Sequence, residues 1–313
     1  MAVVMTGATA EPIAVGIDMG GTATRLVALH QDRTVGQTTE LTAELGAGTA
    51  TERVERLVGR ILDIVPPGHT LGSVGIGASG PVDPVDGEIH NPATLPAFSG
   101  IRLVERLREH LSVPVTIDND AVVAALGEHR FGAGRGADRL LMITLGTGIG
   151  GALLIDGAPL RTHTGGHPEA GHIPVLPADG PPCYCGLRGC WEAGASRTAL
   201  QMLLGPLVDR SVPDDALIAH AANRCTTDPG VRQAFHAYGV AVGRGLACLH
   251  SLYGPSRTVI GGSAAAYLHL FRPGMDTELV QNTSYAPPVE LAKATLGDIS
   301  GALGAALVDV DVA

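Results

Sequence analysis

The segment Asp18-Met19-Gly20-Gly21-Thr22 sets an acid beside two glycines and a hydroxyl. A carboxylate there can hold Mg²⁺ directly or through water, because magnesium takes a few carboxylates together with waters and substrate phosphates. Gly20 and Gly21 let backbone N–H groups approach phosphate oxygens with no Cβ in the way, and Thr22 adds a hydroxyl. Taken alone, an ordinary hairpin turn with a surface Asp would read the same way. A second run, Leu145-Gly146-Thr147-Gly148-Ile149-Gly150-Gly151, literally satisfies G-x-G-x-x-G. It leads into a strand rather than a helix, which argues against a dinucleotide site. A Walker loop is excluded too, since no Lys-Ser or Lys-Thr pair occurs. What remains is a hairpin whose amides, at Gly148 among others, and whose Thr147 hydroxyl could face phosphates.

Asp118-Asn119-Asp120 falls between a strand and a helix. A carboxylate placed there can accept the proton of an attacking hydroxyl, as phosphoryl transfer to an alcohol requires. Asp and Asn are also preferred helix caps. Capping suits Asp118 and extends to Asn119, whereas Asp120 is assigned to catalysis. The most specific pattern is His172, Cys183, Cys185 and Cys190, spaced His-x10-Cys-x-Cys-x4-Cys. Three thiolates and an imidazole make a closed tetrahedral zinc set of structural type, with no open position for catalysis. Reduced loop thiols or a single accidental disulfide are the competing readings. The ligands cluster while the rest of the chain holds only Cys225 and Cys248, which favours metal in a reducing compartment. Glu169 and Glu192 bracket this set and could hydrogen-bond sugar hydroxyls at little ordering cost.

The elements that position these groups follow from periodicity. Ile13–Met19 and Ala23–Leu29 read as strands joined by the first glycine turn. Helical spacing covers Thr51–Val65 and Ile101–Leu111, with strands at Leu71–Ala78 and Val113–Ile117 and a helix from about Asp120 to Phe131. A second series opens with Leu140–Leu145 and Ala152–Ile155 around the second glycine turn. A Cys- and Gly-rich insertion covers roughly Leu160 to Gly194, and helices follow at Ser196–Leu207, Asp214–Ala222 and Val231–Tyr253. Thr258–Ile260 reads as a strand and Ile299–Val308 as a closing helix. The pattern is an α/β layer fold with a duplicated architecture and a cleft between its halves.

Bulk properties narrow the function further. The 313 residues carry a net charge of −10 with no basic run, unlike a nucleic-acid binder. Met1 to Pro12 lacks the basic start and apolar stretch of a signal peptide and is expected to be a loose tail. No apolar run reaches the roughly 18 residues that span a bilayer. The expectation is a cytoplasmic protein with no membrane and no nucleic-acid partner.

Together, Asp18–Thr22, Asn119-Asp120, Leu145–Gly151, Glu169-Ala170-Gly171-His172 and Cys183–Glu192 resemble the ROK family of bacterial sugar kinases and regulators, from about Ile13 to about Val308. Gly261-Gly262-Ser263 is similar to that family's adenine-side turn. The resemblance implies an actin-like ATPase (ribonuclease H-like) fold. It places a small domain at 1–118 plus 299–313 and a large, zinc-bearing one at 119–298, with the active-site cleft between them. It implies Asp120 as catalytic base and sugar contacts from Asn91, Asn119, Asp120, Glu169, His172 and Glu192, with His172 also a zinc ligand. It implies ATP contacts from Gly20, Gly21, Thr22, Thr147, Gly148 and Gly262, with Asp18 serving Mg²⁺. The expected reaction is ATP-dependent phosphorylation of a hexose hydroxyl, the 6-OH of glucose or a close analogue, by a homodimer or homotetramer.

Two departures stand out, the first weakening any role for a local cation at the Gly-Gly-Thr turn and the second bearing on the substrate. Ala23 stands where many relatives carry a lysine, and His167-Pro168 stand where they have small residues before Glu169. Pro168 restricts the residue before it, so the sugar-side loop can differ in shape. An amino sugar such as kanosamine or an N-acetylhexosamine is therefore the alternative substrate. A regulator of the same family is the alternative of another class. Its DNA-binding helices have no place before a phosphate hairpin that begins by Ile13.

Overall fold

The structure is a computed structural model that describes residues 12–281 and 288–308. The tail expected at Met1 to Pro12 therefore lies, up to residue 11, outside the described residues. The chain divides into two compact units, one of Met1–Gly127, Arg161–Gly166 and Asp298–Ala313, the other of Glu128–Leu160 and His167–Gly297.

In the first unit β1 (Pro12–Met19) turns through Gly20-Gly21-Thr22 into antiparallel β2 (Ala23–His30), which pairs with β3 (Arg33–Leu41). A short α1 (Thr42–Leu45) precedes α2 (Ala50–Asp63), which buries Val54, Leu57 and Ile61. Thr49 and Glu52 form a reciprocal capping box at its start, a device worth about 1 kcal/mol. β4 (Thr70–Ala78) then runs parallel to β1, and two-residue β5 (Val82–Asp83) and β6 (Glu88–Ile89) form a small ladder of their own. After α3 (Leu103–Leu111), β7 (Val115–Asn119) joins β4 in parallel and passes directly into α4 (Asp120–Phe131). The sheet order is β3-β2-β1-β4-β7. Ile13, Val15, Ile17, Ile76 and Ile117 pack with the apolar faces of α2 and α3 into its core.

The second unit repeats this plan. β8 (Arg139–Leu145) and β9 (Ile149–Ile155) form the glycine-tipped hairpin, and β10 (Ala158–Pro159) extends it. Helices α5 (Trp191–Ala195), α6 (Arg197–Leu204), α7 (Leu217–Ala222) and the 25-residue α8 (Pro229–Tyr253) come next. Then β11 (Arg257–Gly261), α9 (Leu268–Gln281) and β12 (Glu290–Lys293) complete a sheet of order β10-β9-β8-β11-β12, with β8, β11 and β12 parallel. Trp191, Phe235, Tyr238 and Phe271 are fully buried in its core. The chain then returns to the first unit as α10 (Ser300–Ala305), which packs against β1, β2 and β4.

Each sheet is thus an antiparallel three-strand meander to which two further strands are added in parallel. Periodicity left β3, α9 and β12 unread, and it extended the closing helix beyond its observed ends. The units also differ from the expected division: residues 119–127 and Arg161–Gly166 fall in the first unit. Asp120 consequently belongs with Asp18. Among the described residues, no helix is long and apolar enough to cross a membrane.

Candidate active site

Parallel strands whose carboxyl ends are level offer one shared edge at which ligands bind. In the first unit Met19 pairs with Ala78, and Ala78 with Asn119. Asp18, Ser79, Asn119 and Asp120 are brought together along that edge. Asn119 Oδ1 accepts the Ala121 N–H at 2.8 Å and caps α4, as such residues do. Asp120 Oδ1 accepts the same N–H at 2.9 Å, and its Oδ2 accepts a hydrogen bond from Ser79 Oγ at 3.2 Å. One carboxylate oxygen is fixed by backbone and the other by a hydroxyl, so the group is held for use rather than left to rotate.

Asp118 does not cap the helix, contrary to the sequence-based expectation. Its carboxylate, almost wholly buried, accepts the Asn119 N–H at 2.8 Å and a bidentate pair from Arg161. Asn91 is also committed. Its Nδ2 donates to the carbonyls of Ser79 and Gly80 at 3.2 and 2.8 Å, and its Oδ1 accepts the Thr94 N–H at 3.0 Å. Asn91 therefore shapes the turn that carries Ser79.

Asp18 is the last residue but one of β1, where burial, followed by the charge of Asp120, pushes its carboxyl up to about 7. Arg25 opposes that rise and Asp298 adds to it. A cation held beside Asp18 would offset the cost of its ionisation. The Gly20-Gly21-Thr22 turn beside them is pinned from below: Gly20 N–H donates to Ala23 O, and Thr42 Oγ1 donates to Gly20 O at 2.6 Å. Gly21 and Thr22 remain exposed.

In the second unit the edge at β8 and β11 carries the Gly146–Gly150 turn and Gly262. Gly262 has φ +79°, and a Cβ there would stand 2.5 Å from Leu145 N, so only glycine fits against the start of the turn. Segment 192–198 holds the turn from the other side. Arg197 N–H donates to Gly146 O at 2.8 Å, and Thr198 Oγ1 donates to Thr147 O at 2.9 Å. Glu192 Oε2 accepts the Ile149 N–H at 2.8 Å and lies so close to Gly148 that a Cβ there would be 2.2 Å away. Glu192, expected at the sugar, is thus bonded to the phosphate-loop candidate.

His172, Cys183, Cys185 and Cys190 place one ligand atom each within 4.8 Å of one another. His172 Nδ1 lies 3.5 Å from Cys183 Sγ, and Cys185 Sγ lies 3.6 Å from Cys190 Sγ. Tetrahedral zinc with Zn–S of about 2.3 Å requires sulfurs about 3.8 Å apart, so the set fits such an ion. Burial pushes the Cys190 thiol up to about 12, a cost that a dication would reverse. A bond from the Leu187 backbone pulls Cys185 down instead. Tyr184 OH lies 3.1 Å from His172 Nε2, with the two rings edge to face. Its phenol is raised by burial, then by the charge of Glu192, to which it also hydrogen-bonds. Glu169 is exposed, and the mostly buried His167 side chain sits 3.9 Å from it.

Sequence reasoning missed Ser79, Arg161, Tyr184 and Thr198. Ser79 alone left a signal, as a hydroxyl directly after a strand in Ala78-Ser79-Gly80-Pro81.

The ROK family profile matches residues 14–311. The chain belongs to the ROK family. Among ROK relatives, the glucokinase of Halalkalibacterium halodurans is 31% identical over 93% of this chain and 92% of its own. The solved ROK glucokinase of Streptomyces griseus, in complex with glucose and AMPPNP, is 30% identical with a TM-score of 0.76, over 95% of this chain and 98% of that one. The ROK hexokinase of Thermus thermophilus is 30% identical with a TM-score of 0.80, over 94% and 97%. The ROK fold is the actin-like ATPase fold, as expected, and these relatives support an ATP-dependent hexose kinase.

Proposed function

We propose that the protein transfers the γ-phosphoryl group of Mg-ATP to a primary hydroxyl of a hexose, the 6-OH of glucose or a close analogue. The observation that carries this reading is the fixed carboxylate of Asp120 at a strand-edge it shares with Asp18. Asp120 accepts the proton of the attacking hydroxyl as its oxygen bonds the γ-phosphorus and the bond from that phosphorus to the β,γ-bridging oxygen breaks, releasing ADP. Asp18, with waters, is suited to hold Mg²⁺, which neutralises charge on the transferring group. The amides of the Gly20–Thr22 and Gly146–Gly150 turns supply fixed dipoles for phosphate oxygens. Asn119, Glu169, His172 and Glu192 offer acceptors and donors to sugar hydroxyls. Asn91 contributes through the Ser79 turn.

His172, Cys183, Cys185 and Cys190 would hold a structural zinc ion, which supplies rigidity to that loop and no open coordination position.

The test is ATP consumption across glucose, mannose, fructose, glucosamine, kanosamine and the N-acetylhexosamines, with Asp120→Asn alongside. One favoured sugar, with turnover lost in the variant, supports the reading. Absence of sugar-dependent turnover in folded, zinc-loaded protein would sink it and favour a sugar-responsive regulator. One observation favours an amino sugar as second reading: His167 Nε2 stands 3.9 Å from a Glu169 carboxylate oxygen, on the side proposed to meet the sugar. Equal, poor rates on 2- and 3-amino sugars would remove it.

A further inference from the structure

Three consecutive residues reach three different parts of the second unit. Cys190 puts its sulfur in the metal-ligand cluster. Trp191 is fully buried and donates its indole N–H to Ala241 O at 2.9 Å. Glu192 places Oε2 2.8 Å from the Ile149 amide. The same segment continues through Arg197, whose N–H meets Gly146 O, and Thr198, whose hydroxyl meets Thr147 O. Gly146, Thr147 and Ile149 are thus each hydrogen-bonded to a residue between 192 and 198, and Gly148 lies against Glu192. Ser196, which accepts the Ala199 N–H, caps the helix from which Arg197 and Thr198 project.

We infer that this segment is a brace that couples metal occupancy to nucleotide binding: the ion fixes Cys190, and Glu192 to Thr198 carry that order to the 146–149 turn. The inference rests on the proposed kinase reading in one respect, that this turn meets ATP phosphates. A loop already held in its binding geometry loses little freedom when ligand arrives, so it binds more tightly than a loose one. Without the ion, Cys183, Cys185, Cys190 and His172 lose their common partner. The Cys190 end of the brace then keeps the Trp191 anchor, the backbone bonds from Trp191 N–H to Ile173 O and from Leu176 N–H to Gly189 O, and the weak bond from its thiol to His172 O. It loses its tie to Cys183, Cys185 and the His172 ring. The coupling must also run backwards, since linkage is reciprocal: nucleotide binding must slow the loss of the ion. Thr198 is a positioning residue here, because it touches the turn and not the substrate.

The experiment is calorimetric binding of AMPPNP to zinc-loaded protein, chelator-depleted protein and zinc-loaded Thr198→Val, each checked for fold by circular dichroism. Depletion is expected to weaken AMPPNP about ten-fold, within the usual range of coupling between two sites. Thr198→Val is expected to weaken it about three-fold with full zinc content and unchanged sugar affinity, as loss of one neutral hydrogen bond would. In a separate arm, AMPPNP is expected to slow zinc release to a chromogenic chelator. If depleted protein loses its fold, the variant and the release rate decide. AMPPNP affinity that is unaltered in the variant, with a release rate indifferent to nucleotide, overturns the brace. If zinc-loaded wild type binds no AMPPNP, the kinase reading itself fails and the coupling falls with it.

Discussion

Ser79 Oγ donates to Asp120 Oδ2 at 3.2 Å across a sequence separation of 41 residues. The bond joins the ends of two parallel strands and leaves the carboxylate one orientation. If Asp120 is the base, Asp120→Asn should lower kcat by about 10²–10⁴-fold, the usual worth of general base catalysis. Ser79→Ala should lower kcat by about ten-fold, the equivalent of one hydrogen bond to a charged group, with little change in the KM for ATP. Equal kcat in wild type and Ser79→Ala would show that Asp120 is oriented by the backbone alone.

The proximity of Asp18 to Asp120 gives a second prediction, in pH. Asp18 ionises near 3.8 in the unfolded chain and near 7 in the folded one, chiefly through burial. Between those values the folded chain keeps a proton that the unfolded chain has released, so stability falls as pH rises through about 4 to 7. Above about 7 the full penalty is present, and below about 4 it is absent. In magnesium-free buffer Asp18→Asn should therefore melt at a higher temperature than wild type at pH 8. The gap should narrow steadily as pH falls towards 4. The same variant should lose magnesium-dependent turnover, the familiar conflict between stability and function at a charged site. Parallel melting profiles across that range would refute the assignment.

Much of this arrangement was legible because glycine and apolar alternation mark hairpins clearly. The two glycine-tipped turns, α4 and the His/Cys set could each be read from local residues. β3 could not, because Arg33, Thr34, Gln37, Thr38, Thr39 and Glu40 make it a polar edge strand with no buried face. α9 carries Pro273 inside it and is defined by its packing on α8 rather than by its own pattern. β12 is another edge strand, of only four residues. The hydrogen-bond partners of Asn91 and Glu192 were hidden for a related reason. Both were read as groups free to meet a ligand, but folding gives them backbone partners distant in sequence.

The metal set yields a prediction with a spectroscopic readout. Purified protein should carry about one zinc ion per chain, and Co²⁺ exchange should give the intense sulfur-to-cobalt bands of a tetrahedral thiolate site. Cys190→Ser should abolish those bands and lower the unfolding midpoint. Cys225→Ser should preserve the bands, since that thiol is buried elsewhere in the core. Retained bands in Cys190→Ser would remove Cys190 from the ligand set.

Asp118 and Arg161 bind each other 43 residues apart, with the Asp side chain 3% exposed and the Arg 26%. Asp118 stands two residues before Asp120, so this pair fixes the last turn of chain leading to the base. Arg161→Ala leaves a buried carboxylate without its partner. Unfolding in urea should show a loss of about 2–3 kcal/mol, less than for a fully enclosed pair because the guanidinium is partly hydrated. Asp118→Asn in the Arg161→Ala background should recover part of that loss, because it removes the unpaired charge rather than a favourable contact. The pair should matter more to rate than to folding: kcat should remain depressed in the double variant, whose Asn119-Asp120 segment no longer has an ionic anchor. Recovery of both stability and kcat would mean that the pair only neutralises charge and does not position the base.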